Sequence, residues 1–221
     1  AAQTMLAHLF INSFAFDKAE QVIAELRESA AGFATDDHDA TTPEAALLEV
    51  RMRLRQRDPD AALESLHPAR EAFPSNRNLL AWHAAAEAAS FDESQSSAIL
   101  AELDTLSPGT PLGHYTAARV LSEARQYDES IAAFEAARER LPNWSYPHIE
   151  LGLVLIQAGR DAQAQRVLTK AVDLDPFNAR ARNSLELVRG LGEFATTESE
   201  HFIIRHAPAG DNAPALAAML A

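Results

Sequence analysis

Eight histidines are the residues of this sequence best suited to metal or acid–base chemistry, since it contains no cysteine. A zinc hydrolase site needs two histidines at positions i and i+4 of a helix, with a glutamate between them that activates water. The eight are His8, His38, His67, His83, His114, His148, His201 and His206. None of them forms that spacing, and a strand would place His201 and His206 on opposite faces. We predict no catalytic residue and no metal site, so we interpret the chain as not being an enzyme.

His114 and His148 are separated by 34 residues and occupy the same position in two similar helical segments. A metal bridge between them would need further ligands, which the sequence does not identify. We therefore interpret both as packing residues at equivalent contacts between helices. The sequence also contains no glycine-rich phosphate-binding loop and no nucleophile-elbow motif. It predicts no cofactor.

The composition favours closely packed helices over a strand-rich core. Hydrophobic residues make up 47% of the chain but aromatic residues only 7%, because alanine dominates the apolar class. The net charge of −13 argues against nucleic acid or an anionic membrane as the main partner, because both require a positive surface. The longest apolar run, residues 151–156, is too short to span a bilayer. We predict a soluble protein, cytoplasmic or exported with its signal removed.

Four prolines recur at a fixed interval of 34 residues: Pro74, Pro108, Pro142 and Pro176. Each follows a helical pattern, at a place where a residue without an N–H can end one helix and precede the next. Such a period indicates an array of repeated supersecondary units, so the usual length of a single domain does not apply.

Residues 144–176 are the clearest copy of the repeated unit. Two amphipathic helical patterns flank a tight turn at Ala158-Gly159-Arg160. The matching positions are Leu151, Gly152, Ala164, Leu168, Ala171 and Pro176. They resemble the tetratricopeptide repeat, in which small residues lie where the two helices of a hairpin cross. The resemblance implies an all-α fold, a right-handed superhelical solenoid of antiparallel helix hairpins.

The period divides the chain into a predicted repeat domain, residues 1–190, and a non-repeat tail, residues 191–221. The predicted units are 1–31, 43–76, 77–110, 111–144 and 145–178, followed by a capping helix at 178–190. Residues 30–42 break the period and are predicted to form a loop. The unit 77–110 departs most from the pattern, and its Trp82 is interpreted as a packing residue.

Arginines alternate along the first predicted helix of the second unit, at Arg51, Arg53, Arg55 and Arg57. Alternate spacing on a helix directs side chains to different faces. We therefore interpret these arginines as a solvated helix surface and not as a single basic patch.

The tail contains the segment SEHFIIRH, which has a short β-like pattern. A turn and an Ala/Leu-rich helical start at 213–220 follow it. It resembles the start of gluzincin-type zinc peptidase domains, which follow tetratricopeptide arrays in some bacterial proteins. The resemblance implies an alternative function: this chain would be a non-catalytic, substrate-recruiting or regulatory arm. The catalytic domain would then lie beyond residue 221, and we expect the sequence to be a fragment of a longer protein.

The resemblance to tetratricopeptide repeats implies a protein–protein interaction scaffold that binds a peptide or protein segment on its concave face. Ligand contacts in that family come from set positions of the first helix of each repeat. Carried over, these positions are Arg51, Tyr115, Arg119, Tyr146, Ile149, Leu153 and Asn183. They carry no lysine, so we expect no clamp for a C-terminal carboxylate of the lysine–asparagine kind. An apolar groove edged by Arg119 and Arg180 would suit a segment with hydrophobic anchors. Occupation by the protein's own C-terminal segment and self-association both stay open.

Overall fold

The computed structural model describes residues 2–31, 42–198 and 203–206. The predicted all-α class is confirmed: these residues form eleven α-helices and one two-stranded antiparallel hairpin. The helices are α1 (Ala2–Asn12), α2 (Phe16–Ala31), α3 (Pro43–Arg55), α4 (Pro59–Ala72), α5 (Arg77–Ala89), α6 (Glu93–Leu106), α7 (Leu112–Glu123), α8 (Tyr127–Arg140), α9 (Ser145–Gln157), α10 (Asp161–Leu174) and α11 (Ala179–Leu191). The strands are β1 (Ala195–Glu198) and β2 (Ile203–His206), with Ala195 opposite His206.

The periodic prolines stand just beyond the ends of four helices. The helices α4, α6, α8 and α10 each end two residues before one of them. Proline fits there because it lacks the N–H that would continue the helix. The 34-residue interval in the sequence is therefore an interval between equivalent helix ends.

Side-chain caps begin many of the helices. Thr42, Asn76 and Asn178 accept hydrogen bonds from backbone N–H groups in the first turns of α3, α5 and α11. Asp58 and Asp92 do the same for α4 and α6. Each cap accepts a hydrogen bond from a backbone N–H that the helix itself leaves unpaired, and it stabilises the helix by about 1 kcal/mol.

The turns inside the hairpins repeat a strained backbone conformation. Arg57, Phe91, Arg125 and Gly159 all have positive φ, between 62° and 72°, and follow one another at 34-residue intervals. Only glycine adopts this left-handed conformation without a steric penalty, so the first three turns carry backbone strain that the fourth avoids.

Replacing Gly159 tests the strain directly. A Cβ built at Gly159 meets no atom within 4 Å, so Gly159→Ala changes the backbone preference alone. We expect the free energy of unfolding to fall by about 1 kcal/mol. The matched control is Gly190→Ala, in helix α11, where a Cβ also meets nothing and φ is not positive. Chemical denaturation of both variants measures the difference, and an equal effect would exclude backbone strain as the cause.

The described residues fall into two compact units, residues 1–143 and 144–221. In the first unit, Ile11, Val22, Ile23, Leu48 and Met52 form a core cluster shared by α1, α2 and α3. Further along the unit, the α5–α6 and α7–α8 hairpins each have a buried hydrogen bond between their two helices. Ser96 Oγ donates to the carbonyl of Ala84, and Ser130 Oγ donates to the carbonyl of Ala118, both at 2.8 Å.

In the second unit, α9 and α10 cross closely at Gly152. A Cβ at this glycine would stand 2.5 Å from Cγ and Cδ2 of Leu168, whose side chain is fully buried. Ala164 is also fully buried on α10. These placements agree with the small and large residues that the repeat pattern requires.

Gly152→Ala tests this crossing. The added methyl group must displace Leu168 in a full core, so we expect a loss of about 1–3 kcal/mol in unfolding free energy. Chemical denaturation provides the measurement, and Gly190→Ala again controls for the intrinsic change from glycine to alanine. A Gly152 variant no less stable than that control would show that the crossing has room for a side chain.

Several expectations fall outside the described residues. They include most of the predicted loop at 30–42, the helical start at 213–220, and His38 and His201. The predicted boundary between a repeat domain and a tail at 190/191 stays a prediction. Across 2–31, 42–198 and 203–206, no helix is long and apolar enough to cross a membrane.

Candidate functional site

The first helices of the four hairpins in the first unit contact one another in order: α1 with α3, α3 with α5, and α5 with α7. We call the side of these helices that carries Arg51, Tyr115 and Arg119 the first-helix surface. Arg51 lies on α3, whereas Tyr115 and Arg119 lie on α7, and all three side chains are half-buried. Two helices that are far apart in the sequence thus contribute to one surface.

Helix α5 lies between α3 and α7 and is rich in alanine. Ala85 and Ala89 pack in a cluster with Ala117 and Val120 of α7 and with Leu54 of α3. Trp82 joins the same cluster, so its interpretation as a packing residue is confirmed. Because alanine is short, side chains of α3 can reach those of α7 across α5.

The contact between Arg55 and Glu123 demonstrates this reach. Arg55 Nη1 donates to Glu123 Oε2 at 3.0 Å, which joins the last turn of α3 to the last turn of α7. The Arg55 guanidinium also lies 4.5 Å from the ring centroid of Phe14, between α1 and α2. The aromatic face and the carboxylate together hold this arginine in one position.

Arg51 lies one turn before Arg55 and contacts two neutral side chains of α1. Its Nη1 is 2.9 Å from His8 Nδ1, and its Nη2 donates to Asn12 Oδ1 at 2.9 Å. Burial, followed by the charge of Arg51, lowers the pKa of His8, so this imidazole accepts the hydrogen bond in its neutral form.

Arg119 completes a group of three guanidinium groups. Burial lowers the pKa of Arg51, and repulsion from Arg119 and Arg55 lowers it further, against the attraction of Glu123. Arg119 itself lies 6.0 Å from the ring centroid of Tyr115, whose ring packs edge-on against Phe134 at 5.9 Å. The first-helix surface therefore carries a local excess of positive charge.

The alternating arginines of α3 are a correction to the sequence interpretation. Arg51 and Arg55 are four residues apart and share a face, which the i, i+4 rule could have revealed. Arg53 points elsewhere and pairs with Glu20 at 3.0 Å. Arg57 is exposed in the turn after α3, so Arg51 and Arg55 are the two members of the series that share this surface. The partners His8 and Glu123 gave no signal in the sequence.

The second unit places its four predicted residues in different environments. Tyr146 is 52% exposed, Leu153 is half-buried and Asn183 is exposed. Ile149 is only 2% exposed because it packs against Ala171 and Ala181. Its assignment to a ligand-binding surface is therefore wrong, since its side chain belongs to the core.

Arg180, predicted to edge an apolar groove, forms an ion pair within the second unit. Its Nη2 donates to Glu150 Oε2 at 3.1 Å, and the arginine side chain is 58% exposed. An exposed pair of this kind contributes little to stability.

His114 and His148 occupy packing positions. His148 is 4% exposed and His114 is half-buried, and burial together with Arg140 lowers the pKa of His114, against the influence of Asp104. His206 Nε2 lies 3.1 Å from Thr197 Oγ1 across the β-hairpin. In the parts of the chain that the structure describes, no group of three or more His, Asp or Glu side chains is arranged to hold a metal ion.

His83 on α5 has the most perturbed pKa of the described histidines. Burial, then repulsion from Arg70 and His67, lowers its pKa to about 4, with Glu102 acting in the opposite direction. Its Nε2 lies 3.2 Å from Glu87 Oε1. Because the imidazole is neutral over most of the pH range, we treat this contact as a hydrogen bond from Nε2–H and not as an ion pair.

The lowered pKa of His83 predicts a pH-dependent stability. The unfolded chain binds this proton near pH 6.5 and the folded chain only near pH 4, so stability is lost as the pH falls through that window. The wild type should lose about 2 kcal/mol more unfolding free energy between pH 7 and pH 4 than His83→Gln. Chemical denaturation at a series of pH values measures the difference. Parallel curves for the two proteins would assign the loss of stability to other groups, such as His8 and His114, whose pKa values are also lowered by burial.

The helices and their packing can now be compared with known proteins. Residues 147–178 match the tetratricopeptide repeat model. A crystal structure of TTC0263, a thermophilic tetratricopeptide protein of Thermus thermophilus, is similar over 86% of this chain and 98% of its own, at 15% identity and a TM-score of 0.58. No curated protein sequence matches the chain.

Two other solved structures are similar at lower scores. MamA from Desulfovibrio magneticus RS-1 is 22% identical, with 71% of this chain and 86% of that chain covered and a TM-score of 0.44. YrrB, described as a TPR protein with an unusual peptide-binding site, is 16% identical, with coverages of 83% and 90% and a TM-score of 0.43.

The repeat model and the Thermus structure confirm the resemblance drawn from the sequence. Residues 147–178 carry a tetratricopeptide repeat, and the helical fold of the chain is similar to that of a tetratricopeptide-repeat protein.

Proposed function

We propose that this chain is a non-catalytic scaffold for protein–protein interaction, which binds a peptide or protein segment on its first-helix surface. One observation carries the proposal. Arg51, Tyr115 and Arg119 converge from α3 and α7 as half-buried side chains on a support of packed helices. Arginine and tyrosine are enriched at protein interfaces, because they combine a large contact area with hydrogen-bonding groups.

The side chains of this surface are held in place by neighbouring residues, so they lose little conformational freedom when a partner binds. Tyr115 packs against Phe134, which is 1% exposed, and Arg51 is held by two residues of α1. Side chains already held in place lose little rotamer entropy when a ligand arrives. The surface is thus preorganised in the free protein.

The second unit supplies its own contribution to the proposed function. The predicted contact positions there are occupied by Tyr146, Leu153 and Asn183. Tyr146 is the aromatic residue of the three, and its side chain is 52% exposed. We propose that these three contact a partner, without Ile149.

The net charge of −13 favours a protein partner over nucleic acid, because phosphate backbones would be repelled by most of the surface. The role of recruiting arm for a zinc peptidase stays a prediction, as do self-association and occupation of the surface by the chain's own C-terminal segment.

Alanine substitution of the two tyrosines tests the proposed function. Random peptides displayed on phage are selected on the wild-type chain, and the Kd of the best synthetic peptides is measured by fluorescence anisotropy. Truncating a tyrosine at an interface weakens binding by about fivefold or more, so Tyr115→Ala, Tyr146→Ala or both should raise the Kd by that factor.

Phe177→Ala is the matched control, because Phe177 is 92% exposed and lies in the turn before α11, on no first helix. It should leave the Kd unchanged. The proposal is wrong if selection yields no binder, or if every peptide binds both tyrosine variants as tightly as it binds the wild type. Circular dichroism spectra confirm that the variants are folded.

A further inference from the structure

Two arginines on the first-helix surface, Arg51 and Arg119, have no ion pair of their own among the residues that the structure describes. Arg55 on α3 pairs with Glu123 on α7 at 3.0 Å. One helical turn earlier, α3 carries Arg51 and α7 carries Arg119. Residues four apart on an α-helix share a face. The faces of α3 and α7 that carry the Arg55–Glu123 ion pair therefore also carry two like charges, Arg51 and Arg119, one turn earlier.

The hydrogen-bond partners of this pair are neutral. Arg51 contacts His8 and Asn12, and Arg119 approaches the ring of Tyr115. In residues 2–31, 42–198 and 203–206, neither guanidinium forms an ion pair with an Asp or Glu of the chain. Burial and then repulsion from Arg119 lower the pKa of Arg51, against the attraction of Glu123.

Most other arginines of the first unit that are not fully exposed do have a carboxylate partner. The pairs are Arg27–Glu49, Arg53–Glu20, Arg55–Glu123, Arg70–Glu102, Arg138–Glu135 and Arg140–Asp104. The chain contains 32 acidic residues against 19 basic ones, so carboxylates are abundant. A half-buried pair of guanidinium groups without an ion pair of its own is therefore unusual among the described residues of this unit.

We infer that the space between Arg51 and Arg119 receives the side-chain carboxylate of an aspartate or glutamate from a bound protein segment. The inference rests on the proposed function and names the chemistry of the partner. Arg55 and Glu123 show the same pairing one turn away, between a guanidinium of α3 and a glutamate side chain. A carboxylate can accept hydrogen bonds from two guanidinium groups at once, and it would remove their mutual repulsion.

The neighbouring side chains define the segment further. The aromatic ring of Tyr115 lies directly beside Arg119 and offers an apolar contact to a residue adjacent to the acidic one. Asn12, at the end of α1, is exposed and already accepts a hydrogen bond from Arg51. The preferred ligand is thus an acidic segment with an aromatic or aliphatic residue next to its Asp or Glu.

The test uses the phage-selected peptides and two arginine variants of the full chain. Arg119→Gln is the cleaner single change, because no side chain of the described residues receives a hydrogen bond from Arg119. Arg51→Gln/Arg119→Gln removes both charges. We expect the selected peptides to be enriched in Asp and Glu. Their Kd for the double variant should be about tenfold or more above that for the wild type, and their binding to the wild type should weaken at high salt.

The control is Arg77→Gln/Arg125→Gln, which makes the same change in net charge at two exposed positions of the first unit. It should change the Kd by less than about twofold. In the peptide, replacing the acidic residue by its amide should reproduce the loss seen with the double variant. Amidation of the peptide C-terminus should have no effect.

Each other outcome overturns the inference in a distinct way. Peptides that lack Asp and Glu, or that bind the double variant as well as the wild type, would reject the acidic partner and leave the proposed function intact. A loss on C-terminal amidation alone would assign the site to a chain terminus. A failure to select any peptide would reject the proposed function together with this inference.

Discussion

The close approach of paired helices is the constraint on which the rest of the structure depends. At Gly152 the helices α9 and α10 leave no room for a Cβ, since Leu168 occupies the space. In the first unit, Ser96 and Ser130 lie near enough to the facing helix to donate hydrogen bonds to its backbone carbonyls. Larger residues at these positions would separate the helices and expose the apolar faces that successive hairpins bury against one another.

The same small-residue packing creates the candidate binding surface. The unit 77–110 departs most from the repeat pattern in sequence, yet the alanines of its first helix, α5, are what bring α3 and α7 within reach of each other. An array with large side chains along α5 would hold Arg55 and Glu123 apart, and Arg51 apart from Arg119. The irregular unit is thus a structural requirement of this surface.

Charge is distributed unevenly over the protein. The chain is strongly acidic, and ion pairs such as Arg70–Glu102 are spread along the first unit. The first-helix surface reverses this balance locally, with three guanidinium groups and the single carboxylate of Glu123 acting on one another. A positive site within an acidic molecule can steer an acidic segment to one place, while the overall charge maintains solubility.

The sequence by itself determined the repeat, because a 34-residue period of prolines and small residues is a local and regular property of the chain. It predicted the helical hairpins, the all-α fold and the packing role of Trp82, and it selected Arg51, Tyr115 and Arg119 by their positions in the first helices. The tertiary structure alone decided that Ile149 lies in the core while Tyr146 is exposed, because a helix position does not specify which neighbouring helix covers it. It alone brought Arg51 and Arg119 together from two helices that are distant in the sequence. That placement depends on the distance between α3 and α7, which is set by the short side chains of the helix between them.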